Sequence, residues 1–183
     1  AFRDLGFWRN RSANLKMRFS YPFFDGFIAN SQAVRDHFVD IDGLRPERIA
    51  VVYNGLSLPA CETPPVSDST PLVGIVSNFN RDVKRVDDFI RAAALVRREV
   101  PEATFMIVGG GSFSSYDHRQ VALMRLGQEL GLGPSIAFMG NVPNPGGLIR
   151  RFAVGVITSA TEGFSNSIIE YMAQGVPVVA TAT

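Results

Sequence analysis

Between Pro71 and Ala180, five short runs that are apolar almost throughout alternate with longer stretches whose apolar residues recur at helical spacing. A run that is apolar on both alternating faces suits a strand covered from both sides, and such strands belong to parallel sheets. The alternation therefore predicts an α/β fold, a parallel sheet with helices on both faces. Strands are expected at Leu72 to Val76, Thr104 to Val108, Ile136 to Met139, Val154 to Thr158 and Val176 to Ala180. Val86, Phe89, Ile90, Ala93 and Ala94 mark the buried stripe of one helix, which ends before Pro101. Val121, Met124 and Leu130 mark a second, stopped by Gly131 and Gly133, and a third is expected from about Ser165 to Gln174 with Gly175 as its stop.

Upstream the pattern is sparser. Phe27 to Ala29 and Ile49 to Val52 read as strands flanking a helix over Gln32 to Val39, one further βα unit. Ser57 to Thr70 is rich in Pro, Ser and Thr without apolar period and reads as a linker. The expected division is 1–57, a linker at 58–70 and a main domain at 71–183. The first 25 residues interleave Arg3, Arg9, Arg11, Lys16 and Arg18 with Phe2, Phe7, Trp8, Phe19, Phe23 and Phe24. That pattern suits either a membrane-surface element or a helix that packs its aromatic face on a neighbouring sheet. A start at Ala1 without Met and an end at Thr183 just after an apolar run have the look of a piece of a longer protein.

Eighteen Lys and Arg against 17 Asp and Glu leave a net charge of +1, so no broad positive field exists to hold a nucleic acid. A phosphate site must then be local, built from a few cations and backbone N–H groups. The single cysteine, Cys61, cannot form an internal disulfide, and neither a secretory signal nor a bilayer-length apolar run occurs. The expected location is cytoplasmic, with peripheral attachment at the inner face of the membrane if the N-terminal segment docks there. His37 and His118 lack partners at metal-ligand spacing, so no metal is expected.

In an open α/β sheet, ligands bind beyond the carboxyl ends of the strands. Four loops qualify. EGFSNSIIE, from Glu162 to Glu170, puts two carboxylates on either side of a helix start, where the N–H groups of Ser165, Asn166, Ser167 and Ile168 are free to meet an anion such as a diphosphate. Gly163 permits close backbone approach. The competing reading is an ordinary capping box, Ser167 with Glu170, or an N-cap at Ser165 or Asn166. The loop after Val76 carries Arg81, Lys84 and Arg85 into a helix start, where the dipole disfavours cations; a bound polyanion or a solvated basic loop accounts for them equally. VGGGS at Val108 to Ser112 is a tight turn that lacks the full dinucleotide fingerprint, and FMGNV at Phe138 to Val142 offers Gly140 for close approach.

EGFSNSIIEYMAQGVPVVAT resembles the glutamate-x7-glutamate signature of the retaining family 4 glycosyltransferases, including the Ala-x-Gly-x-Pro-Val-Val-Ala stretch that follows. The resemblance implies the GT-B architecture, with a Rossmann-like donor-binding domain at 71–183 and a remnant βαβ unit of the acceptor-side domain upstream. It also implies that Glu162 faces the transferred sugar and that Glu170 holds the ribose hydroxyls. The amides of Gly163, Phe164, Ser165, Asn166 and Ser167 would meet sugar and phosphate. Lys84 fits the lysine of the family's Gly-Arg-x4-Lys-Gly loop; Asn78 falls where its arginine would stand, so Arg81 is expected to take over, and Arg85 stands where the family often has glycine. VGGGS is comparable to the family's Gly-x-Gly turn, which brings Gly110 near the nucleotide, and FMGNV is similar to its Phe-x-Gly-x-Val stretch, which brings Asn141 and Val142 to the base. IANSQAVRDHF and PERIAVVYNGL resemble the last βα unit of the acceptor-side domain and the Tyr-Asn-Gly that enters the linker.

The expected activity is transfer of a hexose-type sugar from a UDP-, GDP- or ADP-linked donor to a hydroxyl of a glycan, lipid-linked or small-molecule acceptor, with retention at the anomeric carbon. Lys84, Arg81 and the helix head would absorb charge on the departing diphosphate, with no metal or other cofactor. An epimerase or phosphorylase on the same architecture, and a non-catalytic nucleotide-binding module, are the alternatives.

Overall fold

The computed structural model describes residues 1–6, 9–56, 70–78, 82–110 and 118–183. Residues 58–69 of the expected linker (58–70), Cys61 among them, and the aromatic pair Phe7 and Trp8 lie outside them. The chain forms two compact units, one of residues 1–55 with 161–166 and one of 56–160 with 167–183.

The first unit holds β1 (Phe27–Ala29) and β2 (Ile49–Val51), paired in parallel and connected by α2 (Gln32–Asp42), as the sequence pattern predicts. Phe2 adds a bridge to the edge, its N–H donating to the Ile28 carbonyl at 2.7 Å. α2 runs three residues past the predicted Val39 and stops at Gly43, whose φ of 67° only glycine adopts at no cost. Phe2, Tyr21, Val34, Phe38 and Ile49 form its core. The aromatic residues of the N-terminal segment therefore divide: Phe2 is buried, whereas Phe19 and Phe23, on and just after α1 (Arg11–Ser20), are exposed.

The second unit is a five-stranded parallel sheet of β3 (Leu72–Val76), β4 (Thr104–Val108), β5 (Ile136–Gly140), β6 (Val154–Ile157) and β7 (Val178–Ala180), in the order β5-β4-β3-β6-β7. Successive side chains point to opposite faces, so β4 sends Phe105 and Ile107 to one core and Met106 and Val108 to another. The first core is closed by α3 (Val86–Glu99) and α4 (His118–Glu129), the second by the short α5 (Gly146–Ile149) and α6 (Asn166–Ala173). Helices on both faces are thus present.

Several sequence readings need correction: β2 ends at Val51 rather than Val52, β5 runs on to Gly140, and α6 spans Asn166–Ala173 rather than Ser165 to Gln174. β7 begins at Val178, not Val176, because the Val176 N–H closes α6 by bonding to the Tyr171 carbonyl at 3.0 Å and Pro177 has no N–H to give. β6 ends at Ile157, where its ladder with β7 stops; Thr158, just beyond, turns its hydroxyl to the Lys84 carbonyl. α4 exists, but it buries Leu123 and Gly127 while Val121 and Met124 are exposed. The helix carries a second apolar stripe, Leu123 with Leu126, and it is this one that packs against the core.

Candidate functional site

After β3 the chain winds outward through β4 and β5, then returns to the other side of β3 to form β6. At such a reversal, neighbouring strands send their connections to opposite faces, and a crevice opens at their carboxyl ends. The register records the opening: β3 meets β6 only at Val73 with Val154 and Gly74 with Gly155, while its pairing with β4 continues to Val76.

The loops leaving β3 and β6 are joined to each other. Lys84 closes a 3₁₀ turn over Asp82–Lys84, and its carbonyl accepts a hydrogen bond from Thr158 Oγ1 at 2.9 Å; the Val83 carbonyl accepts from the Ala160 N–H at 2.7 Å. Lys84 is thereby fixed at the mouth of the crevice, half-buried. Arg85 follows with φ 46° and ψ 46°, and its guanidinium meets Asp88 at 2.5 Å. The cation that looked misplaced at a helix start is matched by acids in the first turn, Asp87 and Asp88. Arg81 lies outside the described residues.

On the other side stands α6. Because the helix begins at Asn166, Ser167 lies inside its first turn rather than at the cap, and its hydroxyl donates to the Val76 carbonyl at 3.0 Å. The capping-box reading of Ser167 with Glu170 therefore fails. Glu170 is half-buried one turn further along and makes no hydrogen bond or ion pair among the described residues. Burial raises its pKa above the ordinary carboxylate value. A carboxyl held at such an energetic disadvantage is the kind of group that binding sites contain.

Beyond β4 and β5 the loops run side by side: Ser77 N–H donates to the Val108 carbonyl at 2.9 Å and Gly109 N–H to the Gly140 carbonyl at 2.7 Å. Gly109 has φ 121°, and a Cβ there would fall 2.1 Å from the Ser77 carbonyl oxygen, so this position admits only glycine. At Gly110 a Cβ would sit 3.4 Å from the Asn141 amide nitrogen. Asn141 is exposed, and the Val142 side chain packs on the core, which leaves its backbone as the part a ligand can meet.

Glu162, Gly163, Phe164, Ser165 and Asn166 group with the first unit. A Cβ on Gly163 would lie 2.6 Å from the Arg3 carbonyl and 2.8 Å from Val34 Cγ2, so chain packing alone requires glycine there. Asn166 Oδ1 accepts from Asn54 Nδ2 at 2.8 Å, and Phe164 lies 5.8 Å from the Tyr53 ring. A cavity of about 480 Å³ in this unit, with Phe2, Tyr21, Phe24 and Phe27 in its wall and Arg3 and Asp4 beside them, contains none of the expected site residues. Among the described residues no three His, Cys, Asp or Glu side chains gather to hold a metal ion, and no helix is long and apolar enough to cross a membrane.

Sequence reasoning did not single out Thr158 or Tyr171 as site residues, nor Gly109 over its neighbours. The signal available for Tyr171 was its spacing of four from Ser167, which puts both on one helix face.

A model of the group 1 glycosyl transferases matches residues 70–183, and one of glycosyltransferase family 4 matches residues 2–58. The chain belongs to the family 4, group 1 glycosyltransferases. Among its relatives, the Vi polysaccharide biosynthesis protein VipC/TviE of Salmonella typhi is 30% identical over 85% of this chain and 28% of its own length. A D-inositol 3-phosphate glycosyltransferase of Nocardia farcinica is 29% identical over 85% of this chain and 37% of its own. The chain spans well under half the length of these two proteins. The Anabaena protein Alr3699/HepE, solved in complex with UDP-glucose, superposes with a TM-score of 0.82 at 28% identity, covering 96% of this chain and 50% of that one. TarM of S. aureus shares the fold at a TM-score of 0.76, covering 93% of this chain and 32% of that one.

Proposed function

We propose that this chain binds the donor, a nucleotide-diphosphate sugar, for an enzyme that passes the sugar to an acceptor hydroxyl with retention of anomeric configuration. One observation carries the reading: at the strand reversal of the second unit, the turn bearing Lys84 is hydrogen-bonded to the end of β6, and the first turn of α6 is hydrogen-bonded to the end of β3. A lysine and a helix head beside one crevice suit a diphosphate, whose negative charge grows as the glycosidic bond breaks. In this reading Lys84 and Arg81 face the diphosphate, with Gly163, Phe164, Ser165, Asn166 and Ser167 supplying backbone. Glu162 faces the sugar, Glu170 the ribose, and Gly110, Asn141 and Val142 the base. Residues 1–57 serve the acceptor side, 58–70 link, and 71–183 bind the donor.

UDP is the favoured nucleotide, since HepE is solved with UDP-glucose and this chain is 28% identical to it. The acceptor is a glycan, lipid-linked or small-molecule hydroxyl. In this reading the enzyme is cytoplasmic and peripheral at the inner face of the membrane.

Calorimetric titration of the chain with UDP, GDP, ADP and their sugars tests the proposal. A UDP species is expected to bind most tightly, and failure of every nucleotide to bind refutes it. In the transferring enzyme, Lys84→Ala is expected to remove on the order of 2–4 kcal/mol of transition-state stabilisation, read as turnover.

A further inference from the structure

The parting of β3 from β6 leaves backbone groups that an uninterrupted ladder would have satisfied. Buried N–H and C=O groups need partners, so each vacancy must be filled from elsewhere. Side-chain hydroxyls fill them. The Val76 N–H donates to Tyr171 Oη at 2.6 Å, and that hydroxyl lies 3.5 Å from the Val156 carbonyl, the outer limit of a hydrogen bond. One phenol thus stands between β3 and β6 where their ladder has stopped. Ser167 Oγ takes the Val76 carbonyl, and in the loop beyond β3 Thr158 Oγ1 takes the carbonyl of Lys84.

Room for this arrangement is built into the sheet. Tyr171 is fully buried, and its ring lies over Gly155, where a Cβ would come within 2.6 Å of it. Ser167 and Tyr171 are four residues apart, one above the other on α6, so two successive turns of the helix are fastened to a single residue of β3.

We propose that Thr158, Ser167 and Tyr171 are positioning residues: their hydroxyls set the distance between the Lys84 turn and the head of α6, and so the width of the diphosphate site. The inference rests on the donor-binding reading above. Its support is where the hydroxyls land. Thr158 holds the carbonyl of Lys84 itself; Ser167 belongs to the helix turn whose N–H groups face the anion; Tyr171 adjoins Glu170.

The test compares UDP with uridine, because a diphosphate site of the wrong width harms only the former. Tyr171→Phe, Thr158→Val and Ser167→Ala each remove one hydroxyl and keep most of the side-chain volume. Binding is measured for wild type and variants well below their melting temperatures, UDP by calorimetry and uridine by NMR titration. Each variant is expected to bind UDP about tenfold more weakly, a loss of about 1.4 kcal/mol, with uridine unchanged. UDP affinity within twofold of wild type in all folded variants overturns the inference, as does equal weakening of UDP and uridine. Should Tyr171→Phe fail to fold, the other two decide. A wild-type chain that binds no nucleoside diphosphate fails at the first titration and removes the donor-binding reading itself, an outcome separate from intact binding that the variants leave unmoved.

Discussion

At Arg85, φ of 46° and ψ of 46° bring an L side chain close to the following carbonyl, at a cost of roughly 1–2 kcal/mol. The exposed ion pair with Asp88 recovers little of it. Arg85→Gly is therefore expected to leave thermal stability unchanged or raise it, and Arg85→Val, β-branched in the same conformation, to lower it by about 1–2 kcal/mol. Denaturant unfolding of both variants checks this. The resemblance had put glycine at this position, and the left-handed backbone is the physical reason for one. Glu170 carries a second conflict. Its folded pKa is raised by burial, so ionisation opposes folding: stability is highest below the ordinary carboxylate pKa and declines as pH rises through the folded value. Glu170→Gln is expected to raise the melting temperature of the nucleotide-free chain at pH 7 while weakening its affinity for nucleoside diphosphates, since an amide is a poorer acceptor for ribose hydroxyls. A variant that loses stability without losing affinity contradicts the assignment. Lys84 and Glu170 stand out as candidates in the sequence because their residue types and spacing are chemical signals in themselves. Thr158 was not, since a threonine at a strand end is unremarkable until the partner of its hydroxyl is known.

Elements were legible where periodicity was strong and blurred where one helix carries two apolar stripes. β3 and β4 were read to the residue, whereas the buried face of α4 was misjudged because Leu123 and Leu126 form a second apolar stripe beside Val121 and Met124, and packing selects the former. α2 offers an element-scale test through its last residue. Asp42 accepts from Arg9 Nη1 at 2.8 Å and from the Tyr21 hydroxyl at 2.5 Å, with both charged side chains almost wholly buried. Burial alone raises the Asp42 pKa, but the hydrogen bonds from Arg9 and Tyr21 outweigh it and the net shift is downward; Tyr21 is pushed up to about 12, by burial first and then by the bond to Asp42. For a carboxyl with a depressed folded pKa, the stabilising contribution is present above the unfolded value of 3.8 and is lost as pH falls through the lower folded one. Asp42→Asn leaves Arg9 buried without its counter-charge, which costs about 3–5 kcal/mol. The wild type should accordingly show an acid transition below about pH 4 that the variant lacks, together with a variant unfolding midpoint reduced at neutral pH. Equal midpoints at pH 7 would mean that the triad does not hold the end of α2.

For the molecule as a whole, the alternation of apolar runs made an α/β fold readable, but not the order of strands in the sheet. Reversal after β5 depends on which side of β3 the returning chain takes, and that choice is made by packing across the whole second unit. It matters because the reversal, rather than any single motif, produces the crevice. Net charge bears on the same question. With 18 cations and 17 anions, the surface offers a passing polyanion little long-range attraction, so affinity for a diphosphate must come from contacts inside a screening length. Raising salt from about 50 to about 200 mM releases counterions in proportion to the phosphates neutralised, which costs a protein with six to ten phosphate contacts roughly 10³–10⁵ in affinity. A site that grips one diphosphate with one or two cations and with backbone N–H groups has few ions to release. Its UDP affinity is expected to fall less than about tenfold over that range, and duplex DNA at equal phosphate concentration should not displace the nucleotide. Calorimetry at the two salt concentrations, with DNA as competitor, measures both. A steep salt slope would place the binding on a diffuse basic surface such as the N-terminal segment, and not in the crevice between β3 and β6.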